Sequence, residues 1–536
     1  MEQKRKLLKD QCGERLSAAT REAMAKTAIV DAHSHTFSLA FLPVEGILYR
    51  FRVPAGAAAA LAALLERLTD TSPLDQFSAG SLEDPLAALV GRLKPADLQE
   101  LERYEGVLRK AQARNTRPQE RGFAESLEDA AQRDPALGPL RPDDRRRVVL
   151  LLELLDQAGR GEDSAGARAE IAELRRAKAS PESLGGRASG FLRMAALLTQ
   201  REDRIAARLA ADFPAVDLFV HHMMDLDHVY AGSSKFGLQA RLKRAETLDA
   251  LAGGRLRFGV AYDPFRPKDA LDSVKEAIQG GAVSIKLYPP SGYRPSETVV
   301  PWRPGYFTSR FPFVYLPLSS RFHQRRQWDS RYGGGIRVIR DRIEQLVSLA
   351  LGTNVPIFSH HTPQGFEAMA SEGKGRDGYG SMMADPIYWK KVLEKHPQLR
   401  LILAHSGGGD AWFGGRAWSG SFGEHAYQLC TSYPNVYCDF GYSPEVLTTQ
   451  GRQAFRKRLE ELAASCAGGG CGVGGKPPYD IRDKILYGSD WYMVTQENKY
   501  QDFLCSFGEV FSGGILESSA AKFFGDNARR AFPLGK

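Results

Sequence analysis

The sequence predicts an α/β fold, a (β/α)8 TIM barrel with a large all-helical insert between strands 1 and 2. Three observations carry that expectation. Eight short apolar runs are present, and from about residue 214 onward they alternate with amphipathic stretches. Eight strands separated by helices imply a parallel sheet, and eight strands close a barrel. Between about residues 45 and 205 the composition changes to Ala, Leu, Arg and Glu at helix-like spacing. Histidines and an aspartate fall at the ends of four of the runs, the end of a barrel where chemistry is done.

The elements follow in order. Ala28–Val30 is the first run. The insert then shows helical spacing over Ala57–Leu68, Ala96–Arg109, Arg145–Leu155 and Ala165–Ala179, with breaks at Pro135, Gly138, Pro139 and Pro142. It contains no histidine and no catalytic constellation. The remaining runs are Val216–Val220, Leu256–Ala261, Ser284–Tyr288, Pro356–Ser359, Leu399–Ala404, Val436–Phe440 and Ile485–Tyr487. Between two of them, Ile336, Ile339, Ile343, Leu346 and Val347 share one helical face. Pro386–Glu394 reads as another helix, with Asp385 as N-cap and Pro386 at its first position. A helix from about Ser518 to Arg530 closes the barrel. The expected organisation is thus 1–44 (N-terminal segment and first strand), 45–205 (helical insert or cap) and 206–536 (remainder of the barrel).

Bulk properties narrow the function classes. The chain has 536 residues, 43% hydrophobic and 25% charged, ordinary for a soluble enzyme with two or three structural units. No apolar run reaches 18 residues, so no membrane partner is expected. The charged N-terminus lacks an apolar h-region, which argues against a secretory signal. Six cysteines suggest no disulfide framework, and Cys466 and Cys471 sit in a Gly-rich loop with no role assigned. A cytoplasmic home is expected. The formal charge is +8, but residues 51–200 carry 22 Lys plus Arg against 23 Asp plus Glu, so no nucleic-acid partner is expected. A small-molecule substrate is, and a homo-oligomer is compatible with the sequence.

The strand ends carry the chemistry. After the first run comes Asp31-Ala32-His33-Ser34-His35, where alternation puts His33 and His35 on one side. After the fifth come His360 and His361, after the sixth His405, and after the eighth Gly488-Ser489-Asp490-Trp491. A lone histidine is usually a core or surface residue. The conjunction, all on one face, matches a site of N and O ligands with a position left for water. His323, His396 and His425 receive no role. After strand 4, Tyr293, Arg294, Trp302, Arg303, Tyr306, Phe307, Arg310, Arg321, Arg325, Arg326 and Trp328 lie where a loop could cover the mouth. Arginines there could grip a carboxylate bidentately, with Arg294 best placed. The competing reading is a solvated segment whose rings pack on the insert.

The segments Ile29-Val30-Asp31-Ala32-His33-Ser34-His35, Leu403-Ala404-His405-Ser406-Gly407-Gly408 and Leu486-Tyr487-Gly488-Ser489-Asp490-Trp491 resemble the amidohydrolase superfamily. More narrowly they resemble the group that includes aminocarboxymuconate-semialdehyde decarboxylase, and Lys286 to Pro295 is similar to members of it. The resemblance covers about residues 27–40 and 210–530. It implies one divalent metal, usually zinc, held by His33, His35, His360 and Asp490. The choice of His360 over His361 rests on strand register. The resemblance also implies His405 as acid/base or carbonyl polariser. Asp31 would orient a ligand histidine, whose free ring N–H needs an acceptor. Lys286 is either a carboxylated bridge between two metals or the partner of a buried carboxylate such as Asp263. Tyr293, Arg294 and Trp491 are candidates to contact substrate.

A bound cation lowers the pKa of water from 15.7 to about 7, and Asp490 would take the proton. The expected activity is hydrolysis of an amide or lactone of a small, anionic substrate. Decarboxylation of an unsaturated or aromatic carboxylate is the alternative, and a non-catalytic metal-binding scaffold the second.

Overall fold

The computed structural model describes residues 1–50, 55–75, 82–115, 140–149, 190, 192–227, 234–266, 270–291, 293–296, 336–362, 383–464, 466, 471 and 477–534. Eight strands form one parallel sheet in chain order. They are β1 Val30–Ser34, β2 Leu218–His222, β3 Leu256–Ala261, β4 Ser284–Leu287, β5 Ile357–His360, β6 Leu401–Ala404, β7 Val436–Asp439 and β8 Ile485–Leu486. The ends of the sheet meet, because the Ala32 amide donates to the Tyr487 carbonyl at 2.9 Å. All eight apolar runs coincide with strands. Four start late: β1, β2 and β6 begin two residues after their runs and β5 one residue after, so Asp31 and His33 lie within β1 rather than after it.

Strand residues divide between two cores, as alternation requires. Val30, Ala32, Val220, Phe358, Ile402, Ala404, Tyr437 and Leu486 pack inside the barrel, and Ala528, Ala531 and Phe532 of the C-terminal segment plug its lower end. Ile29, Phe219, Ile285, Ile357, Leu401, Leu403, Cys438 and Ile485 pack outward against the helices. The helix Ile336–Thr353 buries Ile339, Ile343, Leu346 and Val347 as its spacing predicts. Asp385 does cap the next element, accepting from the Ile387 amide, although the first turn is a 3-10 helix, Pro386–Trp389. The closing segment is also less regular than expected. A 3-10 turn, Gly514–Ser519, leads into a π turn, Lys522–Asp526, and a short helix, Asn527–Ala531. At Gly525 a Cβ would stand 2.1 Å from the Ala28 carbonyl oxygen, so this turn presses directly on the start of β1.

The insert is helical where described: Val44–Arg50, Ala55–Leu68, Pro85–Arg92, Pro95–Asn115, and residues 142–149 and 192–198. The expected helix Ala165–Ala179 and the breaks at Pro135, Gly138 and Pro139 lie outside the described residues. Its last helix packs on the chain beyond β8. A Cβ at Gly190 would lie 2.2 Å from the Gln496 carbonyl oxygen, and the Arg193 guanidinium sits 5.1 Å from the Tyr500 ring centre. Among the described residues no helix is long and apolar enough to cross a membrane.

The cysteines correct the sequence reading. Cys12 and Cys505 form a disulfide that ties the N-terminal helix Glu2–Cys12 to the helix Phe503–Val510, and Cys466 pairs with Cys471. Spacing could not reveal a pair 493 residues apart; only the packing of the two terminal helices brings it together. Disulfides persist mainly in oxidising compartments, which weighs against the cytoplasmic expectation. Cys430 and Cys438 are free and buried. Alkylation of the denatured, non-reduced chain is therefore expected to label Cys430 and Cys438 alone, and peptide mapping to recover Cys12 linked to Cys505. Labelling of all six cysteines would show that neither bridge forms.

Candidate metal centre

The inward side chains at the top of the barrel build one cluster. On β2, His222 lies two residues past Val220 and stacks on Phe358 at 3.7 Å between ring centres. On β4, the Lys286 ammonium lies 4.5 Å from the centre of that same Phe358 ring. On β5, His360 lies two residues past Phe358. On β7, Asp439 lies two past Tyr437. On β1 the pairing register shifts between Asp31 and Ser34, and after this irregularity His33 turns inward, 4.9 Å from the Phe358 ring. The same alternation sends His221 and His361 outward. His221 bonds Thr36 and Asp249.

His33, His35 and Asp490 bring their ligand atoms within 4.8 Å of one another. The His33 ring donates from Nδ1 to Asp439 Oδ1 at 3.0 Å, and His35 donates from Nδ1 to the His222 carbonyl at 2.7 Å. Both imidazoles thus turn Nε2 toward the centre, and His35 Nε2 stands 3.6 Å from Asp490. His360 is outside this triad; its Nδ1 lies 3.1 Å from His405 Nε2. His405 donates from Nδ1 to the Gly441 carbonyl at 2.9 Å. In a neutral ring that leaves Nε2 as an acceptor. Tyr288 walls the group on one side, 4.5 Å from the His360 ring.

Burial sets the electrostatics. Desolvation and the nearby Lys286 charge hold His33 well below the ordinary histidine range and bring His35 to about 3. His405 is brought to about 4, first by burial. Neutral imidazoles are the form that binds metal. Burial raises Asp490 to about 7, partly offset by Lys286, and lowers Lys286 to about 8 against the pull of Asp439 and Asp490.

Among the described residues, three buried polar atoms of this cluster lack a hydrogen-bond partner: His33 Nε2, Lys286 Nζ and Asp439 Oδ2. Such atoms are costly unless something completes them. Two imidazole nitrogens, one of them the orphaned His33 Nε2, and a carboxylate fit a divalent cation of borderline softness, whereas the Lys286 ammonium does not. A second grouping, Cys466, Cys471 and Asp480, has both sulfurs in a disulfide and no thiolate to offer.

Several expectations change. Asp31 accepts no histidine ring; it accepts from the Ser489 amide at 2.9 Å, the Ser489 hydroxyl and the His33 amide at 3.1 Å. The ring acceptor is Asp439, which the sequence reading does not name. Lys286 makes no hydrogen bond to Asp263, whose Oδ1 accepts from the Phe265 amide. Trp491 is buried and donates to Asp212 on the helix Glu202–Asp212, outside the barrel. The Tyr293 hydroxyl oxygen accepts from the Tyr288 amide, latching the end of β4. Arg294 stacks its guanidinium 4.0 Å over Tyr388 with Nε toward Met383. The later arginines and rings of that segment, Trp302 to Trp328, lie outside the described residues, so the grip on an anionic substrate has no described support.

Residues 225–468 match the family model described as amidohydrolase. No curated protein matches the chain. Among solved structures it is similar to a probable 2-pyrone-4,6-dicarboxylic acid hydrolase from Acinetobacter baumannii (11% identity, TM-score 0.31, covering 60% of this chain and 85% of that one). It is similar also to a 5-carboxyvanillate decarboxylase from Novosphingobium aromaticivorans complexed with manganese (11% identity, TM-score 0.36, covering 68% and 92%). A third is the IDCase of Metarhizium anisopliae (15% identity, TM-score 0.34, covering 69% and 86%).

The two adjacent histidines of β5 should separate cleanly in mutagenesis. His361 uses both ring nitrogens, donating to the Ala384 carbonyl at 2.6 Å and accepting from Trp389 at 3.0 Å. His361→Ala should therefore cost about 1–3 kcal/mol of stability through unsatisfied buried groups while the folded protein keeps its metal. His360→Ala should lower turnover or metal content with a smaller stability loss. Thermal melting and elemental analysis read the two; loss of metal in the His361 variant alone would reverse the assignment.

Proposed function

We propose that this chain, whose residues 225–468 match the family model described as amidohydrolase, is a metal-dependent hydrolase that cleaves an amide or lactone bond of a small molecule. The observation that carries this reading is the convergence of His33, His35 and Asp490 within 4.8 Å, with both imidazoles buried and held toward the neutral form. His33 and His35 would hold the ion through Nε2 and Asp490 through a carboxylate oxygen, with His360 as the fourth candidate. Zinc suits such a set of imidazole and carboxylate donors.

When bound, a divalent cation supplies Lewis acidity and lowers the pKa of water from 15.7 to about 7. The residues do the rest. Asp490 faces that position from the end of β8 and is the proton acceptor. His405, with Nδ1–H committed to Gly441 and the Nε2 lone pair turned to His360 Nδ1 at 3.1 Å, serves better as a second proton acceptor, through or in place of that contact, than as a carbonyl polariser. The helical insert 45–205 is read as a cap, since its last helix packs on the chain beyond β8.

Two expected outcomes test this. Chelation should abolish turnover on the amides and lactones the protein accepts, and His33→Ala with His35→Ala should yield a folded barrel without metal; full metal content in that double variant would overturn the site. Asp490→Asn keeps an oxygen ligand but loses the base, and turnover should fall about 10²-fold or more. Unchanged turnover would mean that another group moves the proton.

A further inference from the structure

We infer that Asp439, on β7, is a positioning residue that holds the His33 ring with its Nε2 turned to the metal position and fixes His405 at the same height. The inference rests on the metal-site reading above. Nothing in the first-strand pattern requires an acid on β7.

The geometry makes Asp439 more than a satisfied core carboxylate. Asp439 and His33 are both fully buried, and His33 donates to Asp439 Oδ1 at 3.0 Å. The same oxygen accepts from the Gly441 amide at 2.7 Å and the His405 amide at 3.3 Å. One carboxylate oxygen thus ties a candidate ligand on β1 to the acid/base candidate after β6. The contact fixes the His33 tautomer, because Nδ1 must carry the proton, and leaves Nε2, which has no hydrogen-bond partner among the described residues, as the donor atom for an ion.

Two glycines leave room for the pair. A Cβ at Gly441 would stand 2.6 Å from His33 Nδ1 and 3.0 Å from Asp439 Oδ1, and one at Gly488 would stand 2.8 Å from His33 Cβ. His35, by contrast, rests on a neutral carbonyl, that of His222. The formal negative charge behind the triad's imidazoles is therefore concentrated on His33. An anionic acceptor raises the basicity of a ligand imidazole, and loss of such partners typically costs about 10–100-fold in metal affinity.

The test uses the full chain, stripped of metal and titrated with Zn2+ against a chromophoric chelator. Asp439→Asn keeps the volume and removes the charge. It should bind Zn2+ about 10–100-fold more weakly and change the visible spectrum of the Co2+-loaded protein, while the metal-free melting temperature stays close to that of the unsubstituted chain. Gly441→Ala is the second variant. It keeps the carboxylate but intrudes between it and His33, and should weaken Zn2+ in the same direction. Zn2+ affinity within twofold of the unsubstituted chain, with the same Co2+ spectrum, would overturn the role of Asp439 in whichever variant folds. Failure of the unsubstituted chain to bind Zn2+ or Co2+ would instead overturn the metal-site reading and this inference with it.

Discussion

The candidate site depends on one contact, the closure of the first strand on the last. His33 and His35 come from the beginning of the chain and Asp490 from near its end, so no local structure can bring them together. Asp31 makes the junction specific. Buried at the seam, it accepts from the His33 amide on one side and from the Ser489 amide and hydroxyl on the other. Around it the Ala32 amide donates to Tyr487 and the Asp490 amide to His33, at 2.9 and 2.6 Å. An amide of the histidine strand and an amide of the aspartate loop therefore share one carboxylate, which fixes their relative position. Burial pushes Asp31 up to about 7, and the three donors work against that rise.

Closure also stabilises backbone that would not otherwise persist. His405, Ser406 and Asp490 have φ of 62°, 51° and 47°, in the left-handed region that L-residues rarely occupy. Each such residue costs on the order of 1–3 kcal/mol unless its surroundings over-determine it. Here they do. His405 is held at its amide by Asp439 and at its ring by Gly441, Ser406 by a hydroxyl bond to the Asp439 carbonyl, and Asp490 by its amide bond to His33. Two of these three residues are proton-transfer candidates, and the third adjoins one. The unusual backbone aims those side chains across the barrel mouth instead of along the strands.

The sequence showed the barrel well because the barrel is a matter of period. Eight apolar runs map onto eight strands, and alternation from Phe358 turns His360 inward and His361 outward. The same rule reaches His222 and Asp439, which lie two residues past Val220 and Tyr437. Their signal is weaker for a physical reason. His360, His405 and Asp490 stand just beyond an apolar run, where a polar group is conspicuous, whereas Asp439 lies inside one. A carboxylate within a strand shows its purpose only when its partner on another strand is known. His33 is the opposite case. Val30 and Ala32 face inward, so strict alternation would turn His33 out, and only the register shift in β1 brings it in. Trp491 and the Cys12–Cys505 bridge were illegible because both depend on how helices outside the barrel pack.

The cluster is a poor arrangement for a protein that needed only to be stable. Lys286, Asp439 and His33 each bury a polar atom without a partner, in a barrel interior whose lower half is an ordinary apolar plug of Phe358, Ile402, Leu486 and Phe532. Leaving a buried polar group unsatisfied costs about 1–3 kcal/mol, and more for a charged one. Replacing such groups by apolar residues of similar shape is often neutral or stabilising. The layer below shows that the barrel can be filled that way. That the upper layer is filled with His33, His222, His360 and His405, two carboxylates and a lysine is the physical argument that it exists to hold something. Mutual satisfaction does not explain it: His222 and His405 find carbonyls, but His33 Nε2, facing the centre, finds no partner among the described residues. The lysine is the member least expected beside imidazoles proposed to bind a metal, since its charge lowers the affinity of each for a proton and, by the same field, for a cation. Asp439 and Asp490 offset that field, and burial already favours the neutral amine. The charge of the site is therefore set jointly by residues on β4, β7 and β8, which is why it could not be read from the histidines alone.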